Sequence, residues 1–167
     1  NSPDKTIVEQ LSLLLNVPQQ IAFLLVQRGI TSFDQAKKYF RPAWEDLHDP
    51  FRMKDMMSAV KRIAYSIESG ESVMIFGDYD VDGTTSVALM TSYLKNHIEV
   101  VVPYIPDRYK EGYGVSKAGI QKAQAEGITL IIALDCGIKA HEQIEYANTL
   151  GIDFIICDHH LPNSLLP

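Results

Sequence analysis

The sequence predicts an α/β fold, a parallel β-sheet flanked by helices, preceded by a helical N-terminal region. Three observations predict it. From residue 72 onward four short apolar runs, "SVMIF", "EVVVPYI", "TLIIAL" and "DFIIC", alternate with helix-like stretches beginning near Thr84, Ser116 and Lys139. Strict alternation of strand and helix favours parallel pairing through right-handed crossovers. The runs are almost continuously apolar, as strands buried on both faces are. Before residue 70 the apolar residues recur at helical spacing instead.

Each N-terminal element has its own signals. "TIVEQLSLLLN" carries a broad apolar face, and Pro18 sits where a first helical turn tolerates proline, opening "QQIAFLLVQRG", which stops at Gly29. "TSFDQAKKYF" begins with Thr31 and Asp34 at capping-box spacing, with Asp a weaker partner than Glu. Met56, Val60, Ile63 and Ile67 mark a further helix that ends at Gly70, and Trp44 with Met56 and Met57 reads as core. The organisation is therefore a helical region over 1–70 and an α/β domain over 71–167.

Composition narrows the class of protein. The length, 167 residues, suits one domain with a small appendage and a real core. Two cysteines without a CxxC pair, Cys136 and Cys157, argue against a disulfide scaffold or a structural zinc site, and both read as small buried hydrophobes. That cysteine usage makes a reducing cytoplasm the expected setting, while no apolar run approaches the roughly 20 residues of a membrane span and no charged-then-apolar leader suggests secretion. A net charge of -6 gives no general attraction to a polyanion, which would need local basic patches or bound metal.

The chemistry lies just beyond the strand ends. The first strand runs into "GDYDVDG", with Asp78, Asp80 and Asp82; the third into Asp135; the fourth into Asp158, His159 and His160. In a parallel sheet these ends share one edge, where ligand crevices of open α/β folds form. As many as five carboxylates and two imidazoles would then converge. Mutual repulsion would drive several of those acids to take up protons unless divalent cations share the site. Oxygen-rich ligation with one or two histidines suits Mn²⁺ or Mg²⁺, and there are acids enough for two ions. Capping alone explains one Asp at a helix start, but not all three clusters at one edge.

Past the second strand, "YIPDRYKEGYG" gathers Arg108 and Lys110, with Lys117 nearby, among Tyr104, Tyr109 and Tyr113. Cations for phosphate and rings for stacking are what a single-strand groove uses. His48, His97 and His141 read as surface residues.

"GDYDVDG", "LDCG" and "CDHH", in that order, resemble the first three motifs of the DHH phosphoesterases, and "RGI", "LHDPFRMKDMMSAVKRI" and "YIPDRYKEGYG" are similar to the RecJ-type branch of that family. The resemblance covers nearly the whole chain. It implies a DHH-type fold and a two-metal exonuclease that removes 5′-mononucleotides from single-stranded DNA in recombination and repair, using Mn²⁺ or Mg²⁺. Mapped by motif, Asp80, Asp82, Asp135 and His159 would be metal ligands, with Asp135 bridging. His160 would face the scissile phosphate, Asp78 and Asp158 would orient neighbours, and Arg108, Lys110 and Tyr113 would bind substrate. Phe76 stands where related phosphoesterases carry a histidine. The family has a fourth Asp motif and a second domain downstream of the His pair, so the chain resembles an N-terminal part that would be largely inactive alone. A monomer is expected, with a helicase or single-strand-binding protein as further partners.

Three rival readings remain. A phosphorelay receiver would need Ser or Thr after the fourth strand, where Asp-His-His stands. A non-catalytic scaffold of the same superfamily would tend to lose ligands. A phosphoesterase acting on short oligonucleotides, cyclic dinucleotides or pyrophosphate would keep them.

Overall fold

The computed structural model describes residues 2–167 and divides into two units, one up to Lys54 and one from Asp55. The first unit contains α1 (Lys5–Leu15), α2 (Gln19–Gln27) and α3 (Phe33–Phe40), followed by 3₁₀ turns at Trp44–Asp46 and Pro50–Arg52. Val8 and Leu11 of α1, Ala22 and Leu25 of α2, Ile30 and Ala36 form its core. The capping box of α3 lies one residue later than expected. Gln35 N–H donates to Ser32 Oγ, and Gln35 Oε1 accepts from the N–H groups of Ser32 and Thr31. Gln at the third helical position reaches back over the cap, which Asp34 one residue earlier is placed too soon to do. Trp44 is not core: it sits in a 3₁₀ turn, 86% exposed, outside the cluster that α1–α3 build.

The second unit holds α4 (Met56–Ser69), β1 (Val73–Gly77), α5 (Val81–Leu94), β2 (Val101–Tyr104), α6 (Lys117–Ala125), β3 (Leu130–Leu134), α7 (His141–Thr149) and β4 (Asp153–Cys157). The four strands are parallel in the order β2-β1-β3-β4. Side chains alternate across the sheet. Met74, Phe76, Ile131 and Ala133 meet Ile120 and Ala123 of α6 and Ala147 of α7. Val73, Ile75, Leu130 and Ile132 meet Val87 and Leu94 of α5 with Ala59 and Ile63 of α4. Both faces are therefore covered, which explains the continuously apolar strands. The second strand is shorter than "EVVVPYI" suggests, and Pro103 is tolerated because β2 is an edge strand.

Because α4 packs on the sheet, the compact unit begins at Asp55, earlier than residue 71. Its buried face is also turned from the expected one. Met57, Val60 and Ile67 are exposed, while Ser66 is fully buried. Polar anchoring decides this. Arg62 donates to Glu71 Oε2 at 2.6 Å, to Ser66 Oγ at 2.7 Å and to Asp153 Oδ2 at 2.7 Å, tying α4 to the starts of β1 and β4. Burial pushes the Glu71 carboxyl up, but Arg62 and Ser66 outweigh it and hold the group below its ordinary value.

Candidate active site and metal centre

The strand order places the switch between crossovers at the β1–β3 boundary, since β2 lies on one side of β1 and β3 and β4 on the other. Crevices in open α/β sheets open at that point, beyond the carboxyl ends of the strands. Gly77 ends β1 and Leu134 ends β3 in direct register, so Asp78 and Asp135 leave the sheet side by side.

Asp80 caps α5: its Oδ1 accepts from Gly83 N–H at 3.0 Å. The helix consequently starts at Val81, three residues before Thr84, and Asp82 falls in its first turn. The two glycines of "GDYDVDG" are required by close approach. A Cβ on Gly83 would collide with the backbone of Asp78, and one on Gly77 with Val87 and the Gly83 carbonyl. Asp78 is folded inward, 2% exposed, and among the described residues its Oδ1 has no hydrogen-bond partner.

Asp135 follows β3 with φ 60°, a left-handed conformation that costs a non-glycine residue energy. Its N–H donates to the Cys157 carbonyl at 2.8 Å, extending the β3–β4 ladder by one residue. Its side chain then meets the next loop: Asp135 Oδ1 lies 3.1 Å from His159 Nε2. One donor atom each from Asp135, His159 and His160 falls within 4.8 Å of the others. Burial and the Asp80 charge push the Asp135 carboxyl up, with Asp82 adding to the effect and the two histidines opposing it. Asp80 and Asp82 are thus near enough for their charges to act on Asp135, while standing outside the tight triad.

Asp158 and His160 form a second pair. Asp158 accepts from His160 Nδ1 at 2.7 Å, from His160 N–H at 3.0 Å and from Ile138 N–H at 3.0 Å. Burial pushes the Asp158 carboxyl up, but those hydrogen bonds outweigh it and hold it below its ordinary value. The bond to Asp158 raises the His160 imidazole against the opposing effect of burial. Asp158 therefore fixes the ring of His160 and keeps Nδ1 in use. On the other side, the Tyr113 hydroxyl lies 3.4 Å from His160 Nε2, and burial with the Asp78 and Asp158 charges pushes that phenol up to about 12.

Of the substrate-binding candidates, Arg108 and Tyr113 belong to one stack. The Arg108 guanidinium lies 5.2 Å from the Tyr79 ring centroid, Tyr79 meets Tyr113 edge-on at 6.4 Å, and Tyr113 meets His160 at 6.1 Å. Lys110 stays outside it, weakly paired with Asp107 at 4.0 Å and 84% exposed. Tyr79 was hidden in the sequence by the aspartates around it. Cys136 is a buried thiol pushed up to about 12, chiefly by burial. Cys157 is exposed, contrary to the buried role read for it, because it ends the edge strand β4.

Whether this edge fits divalent cations can be judged from the donor set. Carboxylates and imidazoles are gathered with no thiolate among them, and a buried carboxylate oxygen lacks a partner, which native interiors rarely leave so. The residues fit Mn²⁺ or Mg²⁺.

Comparison with known proteins agrees. The chain is 41% identical over 165 residues to the single-stranded-DNA-specific exonuclease RecJ of Bacillus subtilis, covering 99% of this chain and 21% of that protein. It is 30% identical over 166 residues to the Escherichia coli protein of the same name, covering 98% and 28%. A crystal structure of exonuclease RecJ bound to manganese superposes with a TM-score of 0.63 at 31% identity, over 69% of this chain and 30% of that one. The Mn²⁺ complex of RecJ from Thermus thermophilus shares the fold, with a TM-score of 0.71 at 23% identity over 99% of this chain and 22% of that one. The chain thus spans less than a third of the length of these relatives. The model of the DHH family, N-terminal domain, matches residues 72–167. That match takes in every strand of the sheet and each acid and histidine at its edge, and the chain belongs to the DHH family.

Proposed function

We propose that this domain contributes the metal-binding wall of an exonuclease that hydrolyses phosphodiesters from the 5′ end of single-stranded DNA in recombination and repair. The contact between Asp135 and His159 carries the reading: two loops from different strands bring a carboxylate and an imidazole together beside an unpartnered buried acid. Its similarity to a single-stranded-DNA-specific exonuclease supports the choice of substrate.

Asp80, Asp82, Asp135 and His159 would hold Mn²⁺ or Mg²⁺, with Asp135 shared between two ions. When bound, such ions polarise a phosphoryl oxygen and lower the pKa of water, the usual apparatus for in-line attack on phosphorus. Asp158 orients His160, and His160 presents its ring toward the scissile phosphate to stabilise developing charge. Asp78 packs behind the aspartate loop and orients its neighbours. Arg108, with Lys110 and Tyr113, receives the strand. The domain acts as a monomer in this reading, in the cytoplasm, where a helicase or a single-strand-binding protein would present its substrate. Among the described residues no helix is long and apolar enough to cross a membrane.

The test is an assay of the full natural chain on a 5′-labelled single strand and on its duplex, with Mn²⁺ and with chelator. Metal-dependent release of 5′-mononucleotides from the single strand is expected. Release from short oligonucleotides alone would favour the small-substrate reading, and binding without cleavage would favour a scaffold.

A further inference from the structure

Glu111 has no place in the chemistry above, yet it is the most connected side chain of the segment between β2 and α6. Its Oε2 accepts from the Tyr104 hydroxyl at 2.7 Å and from the Ser116 hydroxyl, and its Oε1 accepts from Asp107 N–H at 2.8 Å. Those partners mark the last residue of β2, the start of the segment and the N-cap of α6, where Ser116 Oγ also accepts from Gly119 N–H at 3.0 Å. One carboxylate therefore closes the segment on itself at both ends. The anchor is firm at each partner. Tyr104 is packed on Phe76 at 5.1 Å between ring centroids and lies beneath Lys122, and α6 approaches so closely that a Cβ on Gly119 would stand 2.6 Å from Phe76.

The residues that the closed segment carries give Glu111 a functional consequence. Arg108 and Tyr113 flank it, and both join the stack that runs through Tyr79 to His160. Pro106, Val115 and Ser116 bury the two ends of the segment, but its middle stands in solvent: Tyr109 is 96% and Tyr113 59% accessible, so little packing fixes the shape of the stretch that carries Arg108 and Tyr113. Gly112 and Gly114, with φ of 85° and 77°, add turns that other residues rarely adopt, and glycine there leaves the chain more freedom for a tie to remove.

We propose that Glu111 is a positioning residue for the substrate strand: it holds the β2–α6 segment in the conformation that presents Arg108 and Tyr113 to the phosphate backbone. This rests on the single-strand reading above. Holding the segment in advance removes ordering entropy from the binding step. Glu111 touches no phosphate itself and acts through Arg108.

The experiment is a double-mutant cycle on the full natural chain, reading equilibrium binding of labelled oligothymidylate in chelator, where nothing is cut. Glu111→Ala is expected to weaken binding about tenfold, ~1.4 kcal/mol, in the wild-type background and to have little effect once Arg108→Ala is present. Glu111→Gln retains an acceptor for Asp107 N–H, and both hydroxyls can turn to accept from its amide, so it should bind nearly as wild type. Tyr104→Phe deletes one donor and should weaken binding in the same direction, which keeps the test decisive if Glu111→Ala fails to fold. Limited trypsin digestion without DNA gives a second readout: Glu111→Ala should speed cleavage after Arg108 and Lys110 relative to other sites. Additive losses in the cycle, or unchanged cleavage at those two bonds, would overturn the proposal while leaving the function reading intact. Absence of binding by the wild-type chain would instead sink the function reading, and the positioning role with it.

Discussion

His159 Nε2 lies 3.1 Å from Asp135 Oδ1, although the two residues follow different strands and differ sharply in exposure, 74% against 8% for their side chains. The buried acid is held by backbone, through its N–H on the Cys157 carbonyl, and the exposed imidazole comes to it. A carboxylate fixed by its backbone and an imidazole open to solvent are thus brought to one point from two strands.

Asp135→Ala should therefore abolish hydrolysis more completely than Asp158→Ala. In the proposed roles the first removes a ligand shared by two ions, whereas the second frees a ring that Tyr113 still contacts, a loss of about 10–100-fold. Calorimetric titration with Mn²⁺ separates the two, since Asp158→Ala should keep most of its affinity. Equal, small effects of both substitutions would refute the assigned roles.

Gly83→Ala tests the link between helix and aspartate loop. The added methyl group would press on the backbone of Asp78, so the α5 start or the loop must shift. A loss of about 1–3 kcal/mol in unfolding free energy is expected, as for overpacked cores, with weakened Mn²⁺ binding. Unchanged stability and affinity together would show that the loop is more tolerant than its contacts imply.

At the opposite edge, Arg62 and Glu71 make acid stability measurable. The folded Glu71 carboxyl titrates below its ordinary 4.5, so its pairing stabilises the fold above that pH and is lost as pH falls through the lower folded value. Arg62→Met leaves Glu71 with Ser66 as its remaining side-chain partner and should cost about 1.5–3 kcal/mol near neutrality, the range for a lost hydrogen bond to a charged group. Urea unfolding at stepped pH should show the gap to wild type narrowing below pH 4.5. A gap that is constant with pH would place the effect in packing alone.

Arg108→Ala with Lys110→Ala should weaken binding of long single strands and flatten its salt dependence, by about 0.7 in log–log slope for each phosphate no longer neutralised. Arg108 should account for most of the change, because it alone joins the stack through Tyr79. Lys110 stands in solvent beside Asp107. Measurement of each single variant against salt decides the division, and a larger effect from Lys110 would contradict the geometry.

Much of this protein was legible in one dimension. Short, continuously apolar runs read as strands covered on both faces, alternation with helices favours parallel pairing, and parallel strands deliver the residues after them to one edge. That reasoning alone sends Asp78, Asp80, Asp82, Asp135, Asp158, His159 and His160 to one edge of the sheet, the edge where the structure has the strands β1, β3 and β4 end. Periodicity said less about polar side chains, whose partners are distant in sequence. Arg62 reaches 91 residues to Asp153 and turns α4 so that Ser66, rather than Val60 or Ile67, is buried. The pairing of His159 with Asp135 and of His160 with Asp158, the platform that Tyr79 offers Arg108, and the closure of a whole segment on Glu111 likewise depend on directions in space. Hydrophobic burial is non-directional and written in composition and spacing, whereas hydrogen bonds and ion pairs form only at short range and fixed angle. Tertiary structure alone decides which donor meets which acceptor.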